Sequence, residues 1–81
     1  KPDTTLVAIE KILAQLEVGG RLAIMIYYGH EGGDQEKDAV LHFVQNLDQR
    51  LFTAMLYQPL NQINQPPFLV MIEKLKKVKE D

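Results

Sequence analysis

Leu6, Ile9, Leu13 and Leu16 recur at three- and four-residue intervals, with Ile12 widening the stripe and Glu10, Lys11 and Gln15 on the wetter side. That period predicts an amphipathic helix over Lys1–Glu17. Asp3, Thr4 and Thr5 follow Pro2 and are candidate N-caps, because their side-chain oxygens accept from the unpaired N–H groups of a first turn. Gly19-Gly20 stops the helix by allowing a positive φ. The pattern then changes. Leu22-Ala23-Ile24-Met25-Ile26-Tyr27 is a short, unbroken apolar run between glycines, which predicts a strand covered on both faces. A polar, glycine-rich loop, Gly29–Asp34, leads into a second helical stripe over Gln35–Asn46, with Val40, Phe43, Val44 and Leu47 inward and Asp34 as N-cap. Leu51–Tyr57 reads as a strand ended by Gln58-Pro59. Asn61-Gln62-Ile63-Asn64-Gln65-Pro66-Pro67 is a long polar connection to a last apolar strand, Phe68–Glu73. Lys74 opens a charged stretch, with 75–81 as a tail.

The order helix, strand, helix, strand, strand predicts an α/β fold. A strand–helix–strand unit implies a right-handed crossover between parallel strands, whereas two strands joined by an intermediate loop pair more naturally antiparallel. The last strand is therefore expected to be antiparallel. Two helices and three strands cannot cover both faces of a strand as apolar as Leu22–Tyr27. The 81 residues are accordingly expected to be one partial domain, completed by structure on the N-terminal side. A chain of this size buries only about 60–65% of its unfolded surface, so its stability alone would be marginal.

Composition adds exclusions. With no cysteine, neither a disulfide framework nor a thiolate metal site supports the core. His30 and His42 are the only histidines and lack ligand spacing. No serine or cysteine is present to act as the nucleophile of acyl transfer. No run approaches the roughly 20 apolar residues of a membrane span, so no membrane partner is expected and a cytoplasmic location is. A net charge of −2 gives no bulk attraction to nucleic acid. Lys74, Lys76, Lys77 and Lys79 read as a solvated or frayed end.

Candidate chemistry concentrates in two loops. Ligands of open α/β sheets bind beyond the carboxyl ends of the parallel strands, where Tyr28–Gly33 lies. If the last two strands form a hairpin, Asn61–Pro67 lies on the same rim. His30 and Glu31 have the chemistry for proton handling or substrate orientation. Of the two tyrosines on opposite faces of the strand, Tyr28 is assigned the exposed, stacking role and Tyr27 the core. Gly29 and Gly32 let the backbone approach a substrate closely. Asn61, Gln62, Asn64 and Gln65 carry amide donors and acceptors suited to a base or ribose, and Pro66-Pro67 stiffens the path. Gln65-Pro66-Pro67-Phe68 is similar to the Asn-Pro-Pro-aromatic motif of amino methyltransferases, but Gln replaces Asn and the motif precedes the last strand. Two other readings stand beside an enzyme of this kind: a noncatalytic module that homodimerises through an exposed sheet edge, and a nucleotide-binding domain that uses the glycine loop for phosphate.

Leu16-Glu17-Val18-Gly19-Gly20-Arg21-Leu22 before an apolar strand resembles the segment preceding the fifth strand of class I S-adenosylmethionine-dependent methyltransferases. Ile26-Tyr27-Tyr28-Gly29-His30-Glu31-Gly32-Gly33, Glu36-Lys37 and Asn61-Gln62-x-Asn64-x-Pro66-Pro67-Phe68 together resemble the rRNA methylase family related to YtqB, some members of which are assigned as tRNA 5-aminomethyl-2-thiouridine methyltransferases. The resemblance spans roughly residues 4–74. It implies the C-terminal half of a Rossmann-like seven-stranded methyltransferase sheet, with the seventh strand antiparallel between the fifth and sixth. It further implies S-adenosylmethionine as cofactor, held mainly by residues outside this chain, and RNA as partner, tRNA ahead of rRNA. The implied reaction is methylation of the amine of a modified wobble uridine, with this segment inactive alone. His30 and Glu31 would then be catalytic, and Tyr28, Gly29, Gly32, Asn61, Asn64, Gln65 and Pro66 would bind substrate.

Overall fold

A computed structural model describes residues 2–29 and 33–77. Its elements are α1 (Pro2–Gln15), β1 (Arg21–Ile26), α2 (Gly33–Gln45), β2 (Phe52–Tyr57) and β3 (Phe68–Lys74). They form a three-stranded sheet of order β1-β3-β2. β3 lies between the other two and is antiparallel to both, pairing Ile26 with Phe68 and Leu22 with Ile72 on one side. On the other side it pairs Tyr57 with Leu69 and Ala54 with Ile72. β1 and β2 are thus parallel but not neighbours, as expected for a crossover that leaves room for a returning strand. No helix among the described residues is long and apolar enough to cross a membrane.

The pleat sorts side chains by parity. β3 alternates strictly, with Phe68, Val70, Ile72 and Lys74 buried and Leu69, Met71 and Glu73 half-buried. Its buried residues join Ile26, Ile9 and Leu13 of α1, and Val40 and Val44 of α2 in one core. Both helices therefore pack on the same face. Within this chain β1 is therefore covered on one face only, in keeping with the expectation that two helices and three strands cannot cover both. Leu22, Ile24 and Ile26 face the helices, while Ala23 and Met25 are exposed. On that open face Met25, Leu69 and Tyr57 lie in one row, and Ala23, Met71 and Met55 in the next. β2 is covered least. Beside it Leu41, Val44 and Leu47 form an apolar groove of about 300 Å³ with Phe52, Leu56 and Val70.

Two local findings correct the sequence reading. Thr5 does not cap α1: the helix already starts at Pro2, and the Thr5 hydroxyl donates to Glu36 Oε1 of α2 at 2.7 Å. Lys74 is not a solvated residue. It closes β3 with only 4% exposure, and its Nζ donates to the carbonyls of Leu13 at 2.9 Å and Ala14 at 3.4 Å. α1 has no basic residue in its own last turn, so Lys74 supplies the cation that its orphan carbonyls and negative dipole end attract. The Lys74 backbone is tied to the same turn, donating to Gly20 at 3.0 Å and accepting from Gly19 at 2.8 Å. Gly19 takes φ +87° there, as its place after the helix requires. Lys74→Met keeps the aliphatic stem but removes the donor. It is expected to lower the unfolding free energy of the full-length protein by about 1–3 kcal/mol, read by chemical denaturation.

The α2–β2 turn is closed by Asp48, which accepts from Arg50 Nη2 at 2.9 Å and Nε at 3.1 Å, and from the Arg50 backbone N–H at 2.9 Å. The Arg50 side-chain hydrogen bonds, followed by the backbone one, hold the Asp48 carboxyl at about 2, below its ordinary 3.8. A carboxyl lowered by folding stabilises above its unfolded pKa, and that contribution disappears as pH falls through the folded value. The turn's contribution is therefore expected to be complete above pH 3.8 and gone near pH 2. Asp48→Asn should abolish that segment of the stability–pH curve, and at neutral pH the variant should lie below the wild type by the contribution lost.

Candidate functional site

The register places the end of β1, the end of β2 and the start of β3 on one rim. Ile26 faces Phe68 and Tyr57 faces Leu69. The loops that follow β1 and precede β3 consequently meet. Gly29 adopts φ +91°, and a Cβ built on it would collide with the Gln65 side-chain oxygen. Gln65 is itself the one non-glycine residue with positive φ (50°) among the described residues. That conformation is disfavoured for a side chain longer than Asn or Asp, and the pyrrolidine ring of Pro66 restricts Gln65 further. An Asn at this position would meet the backbone requirement better than Gln does.

The tyrosine assignment is corrected by parity. Ile26 points into the core, so Tyr27 points out and is 65% exposed. Tyr28 is the partly buried ring. It packs edge-on against Phe68 with centroids 5.6 Å apart, and Lys37 Nζ lies over its ring, 4.8 Å from the centroid. A cation over the ring face is favourable, so Tyr28 anchors the start of the loop to β3 and α2 and does not offer an open stacking platform. Lys37 also approaches Asp38 Oδ1 at 3.8 Å.

Asn61, Asn64 and Gln65 are exposed and Pro66 half-buried. Within this loop Gln62 Nε2 donates to Asn61 Oδ1 at 3.4 Å. Below its two ends Met25, Tyr57, Pro59, Pro67 and Phe68 line a shallow concavity of about 410 Å³ on the open sheet face. The rim thus combines solvent-facing amides with an apolar floor. His30, Glu31 and Gly32 lie outside the described residues, so the catalytic assignments for His30 and Glu31 and the close approach at Gly32 have no described geometry. No group of three or more His, Cys, Asp or Glu side chains able to hold a metal ion occurs among the described residues.

A cleft of about 250 Å³ opens between α1, α2 and the end of β1, lined by Thr5, Ile24, Met25, Ile26, Tyr27, Glu36 and Val40. Neither Thr5 nor Glu36 was assigned a site role from sequence. Their one signal was helical phase: Glu36 lies one turn before the buried Val40, and Thr5 one turn before the buried Ile9. The glycine loop does not supply a nucleoside or phosphate cradle at Gly29, whose open side is taken by Gln65. The described residues therefore do not by themselves fit S-adenosylmethionine.

Residues 1–73 match the model of a protein family described as "Putative rRNA methylase". Among solved structures, the chain is 75% identical to a "putative methyltransferase" of Streptococcus mutans in complex with SAH, with a TM-score of 0.87 over 93% of this chain and 41% of that one. It is 75% identical to an rRNA methylase of Streptococcus thermophilus, with a TM-score of 0.84 over 94% of this chain and 42% of that one. It is 41% identical to a "putative rRNA-methylase" of Clostridium thermocellum, with a TM-score of 0.90 over 93% and 40%. The chain spans about two-fifths of the length of these solved relatives.

Proposed function

The chain belongs to the rRNA methylase family, and from that premise we propose that it forms the substrate-facing part of an RNA methyltransferase domain that uses S-adenosylmethionine. The meeting of the Gly29 and Gln65 loops on one rim carries this reading. It joins exposed amides to an apolar floor at the sheet end where α/β enzymes place ligands. Amides address base edges and ribose hydroxyls without requiring a positively charged surface, which suits a chain of net charge −2.

The methyl donor belongs to the other part of the domain in this reading. The Streptococcus mutans relative is in complex with SAH, while the described residues here offer no cradle for it. The substrate is the amine of a modified wobble uridine in tRNA, in preference to an rRNA base, and the enzyme works in the cytoplasm, where such RNA is found. Within this chain Asn61, Asn64 and Gln65 orient the RNA, with Gly29 and Gly32 allowing close approach and Pro66 stiffening the loop. His30 or Glu31 handles the proton that an ammonium must lose before it can attack. Positioning provides much of the rate in such a transfer.

The test supplies purified full-length protein with labelled S-adenosylmethionine and either tRNA carrying 5-aminomethyl-2-thiouridine or stripped ribosomal RNA. Label in the tRNA, removed when the uridine arm is absent, is the expected result. Label confined to rRNA would overturn the tRNA assignment and keep the methyltransferase. His30→Ala with turnover and RNA affinity both unchanged would remove His30 from the site.

A further inference from the structure

We propose that Lys37 is a positioning residue of the rim, acting through the Tyr28 ring to hold the two loops in register for methyl transfer. The inference rests on the methyltransferase reading given above. Gly33, Val40 and Val44 are the buried positions of α2. Lys37 lies one turn after Gly33 and three residues before Val40, so helical phase places it on the same inward stripe. Its side chain is only 26% exposed. Lysine is uncommon at such a position, because its charge loses part of its hydration there. For packing alone, leucine would fill the stripe better. The ammonium has two neighbours: the Tyr28 ring, 4.8 Å from its centroid, and Asp38 Oδ1 at 3.8 Å. Asp38 is adjacent in the helix and 75% exposed, and such a pair contributes little. The ring is the contact with consequences.

Two contacts of defined geometry orient that ring. The ammonium lies over it, and Phe68 meets it with the ring planes 66° apart. Apolar packing is non-directional, whereas both of these contacts depend on the ring quadrupole and so fix its direction. Tyr28 immediately precedes Gly29 of the first loop, and Phe68 immediately follows Pro66-Pro67 of the second. Phe68 is buried and paired with Ile26, which makes it a fixed reference. α2 begins at Gly33, where the first loop ends. The stack of Lys37, Tyr28 and Phe68 therefore ties both ends of the first loop to the end of the second. It sits on the helix-covered face between β1 and β3, away from the outer edge of β1. A turn of the Tyr28 ring passes directly to Gly29, against which the Gln65 side chain rests.

The experiment measures kcat and the RNA KM of the full-length protein with labelled S-adenosylmethionine, alongside denaturant midpoints. Lys37→Leu should lower kcat by about tenfold, less than the roughly 100-fold of a group misplaced by 1 Å. Its RNA KM should stay within about twofold of the wild type, and its midpoint should equal or exceed the wild-type value. Lys37→Arg should retain most of the turnover, because a guanidinium also stacks on an aromatic face. Tyr28→Leu should lose about as much kcat as Lys37→Leu. Because the two act as one unit, the double variant should lose no more than Tyr28→Leu alone. Equal losses in Lys37→Arg and Lys37→Leu, with lowered midpoints in both, would reduce Lys37 to a fold-stabilising residue and overturn the inference. So would a raised RNA KM at unchanged kcat, which would make Lys37 a direct RNA contact. If the wild type methylates neither tRNA nor rRNA, the reading beneath falls, and the Gly29 backbone and Gln65 side-chain amide resonances decide the positioning role. Shifts of both in Lys37→Leu that Lys37→Arg largely reverses support it; resonances unmoved in Lys37→Leu, or moved equally in both variants, overturn it.

Discussion

Ile72→Ala is expected to lower the unfolding free energy of the full-length protein by about 2–5 kcal/mol, the range for truncating a buried isoleucine to alanine. Ile72 has no exposed surface. It sits on the central strand between Leu22 of β1 and Ala54 of β2, on the face that Ile9, Leu13, Val40 and Val44 cover. With hydrogen-bonded strands on both sides, the backbone has little room to collapse into the space left behind, which favours the upper part of the range. Ile72→Val removes one methylene and should cost about 0.5–1.5 kcal/mol. Denaturant midpoints of the two variants would test this ordering. A loss below about 1 kcal/mol for Ile72→Ala would mean that β3 is not the central strand.

The same strand shows where sequence reading reaches its limit. Phe68-Leu69-Val70-Met71-Ile72 is apolar at every position, so composition marks a strand without showing which alternate residues face the helices. Parity decides that, and the parity is set by pairing with β1 and β2. Lys74 follows two residues after Ile72 and shares its face, yet it also begins a lysine-rich stretch, and that composition hid it. Only the carbonyls at the end of α1 explain why a lysine is buried there. The tyrosine pair failed for a related reason. Leu22, Ile24 and Ile26 already mark the inward parity of β1, which sends Tyr28 inward and Tyr27 outward, but an unbroken apolar run masked the alternation.

The element order and the antiparallel last strand were legible because period and loop length constrain them locally. The meeting of the two loops followed from that topology alone. The Thr5–Glu36 bond did not, since it depends on the rotation of two helices about their axes, and no local pattern encodes that angle. Family membership then favours the methyltransferase reading over a noncatalytic dimerising module or a nucleotide-binding domain. The fold itself would have admitted all three.

Gly29→Ala is expected to reduce RNA methylation by on the order of 100-fold, the scale of misplacing a positioned group by about 1 Å, while costing only about 1–2 kcal/mol of stability. Two separate effects act at this residue. The φ of +91° is unfavourable for any side chain, and that strain falls on the loop that carries His30 and Glu31. The new Cβ also collides with the end of the Gln65 side chain. That end is flexible, so Gln65 swings away at little energetic cost. In doing so it leaves the rim where it is proposed to meet RNA, which is why activity should fall further than stability. The double variant Gly29→Ala/Gln65→Ala divides the two effects. It removes the collision and keeps the strained φ, so the stability loss should remain close to that of Gly29→Ala. If Gln65 acts on RNA, Gln65→Ala alone should lower RNA affinity without destabilising the fold, and the double variant should not recover activity. Full activity in Gly29→Ala, measured with RNA below saturation, would show that the meeting of the two loops has no part in recognition.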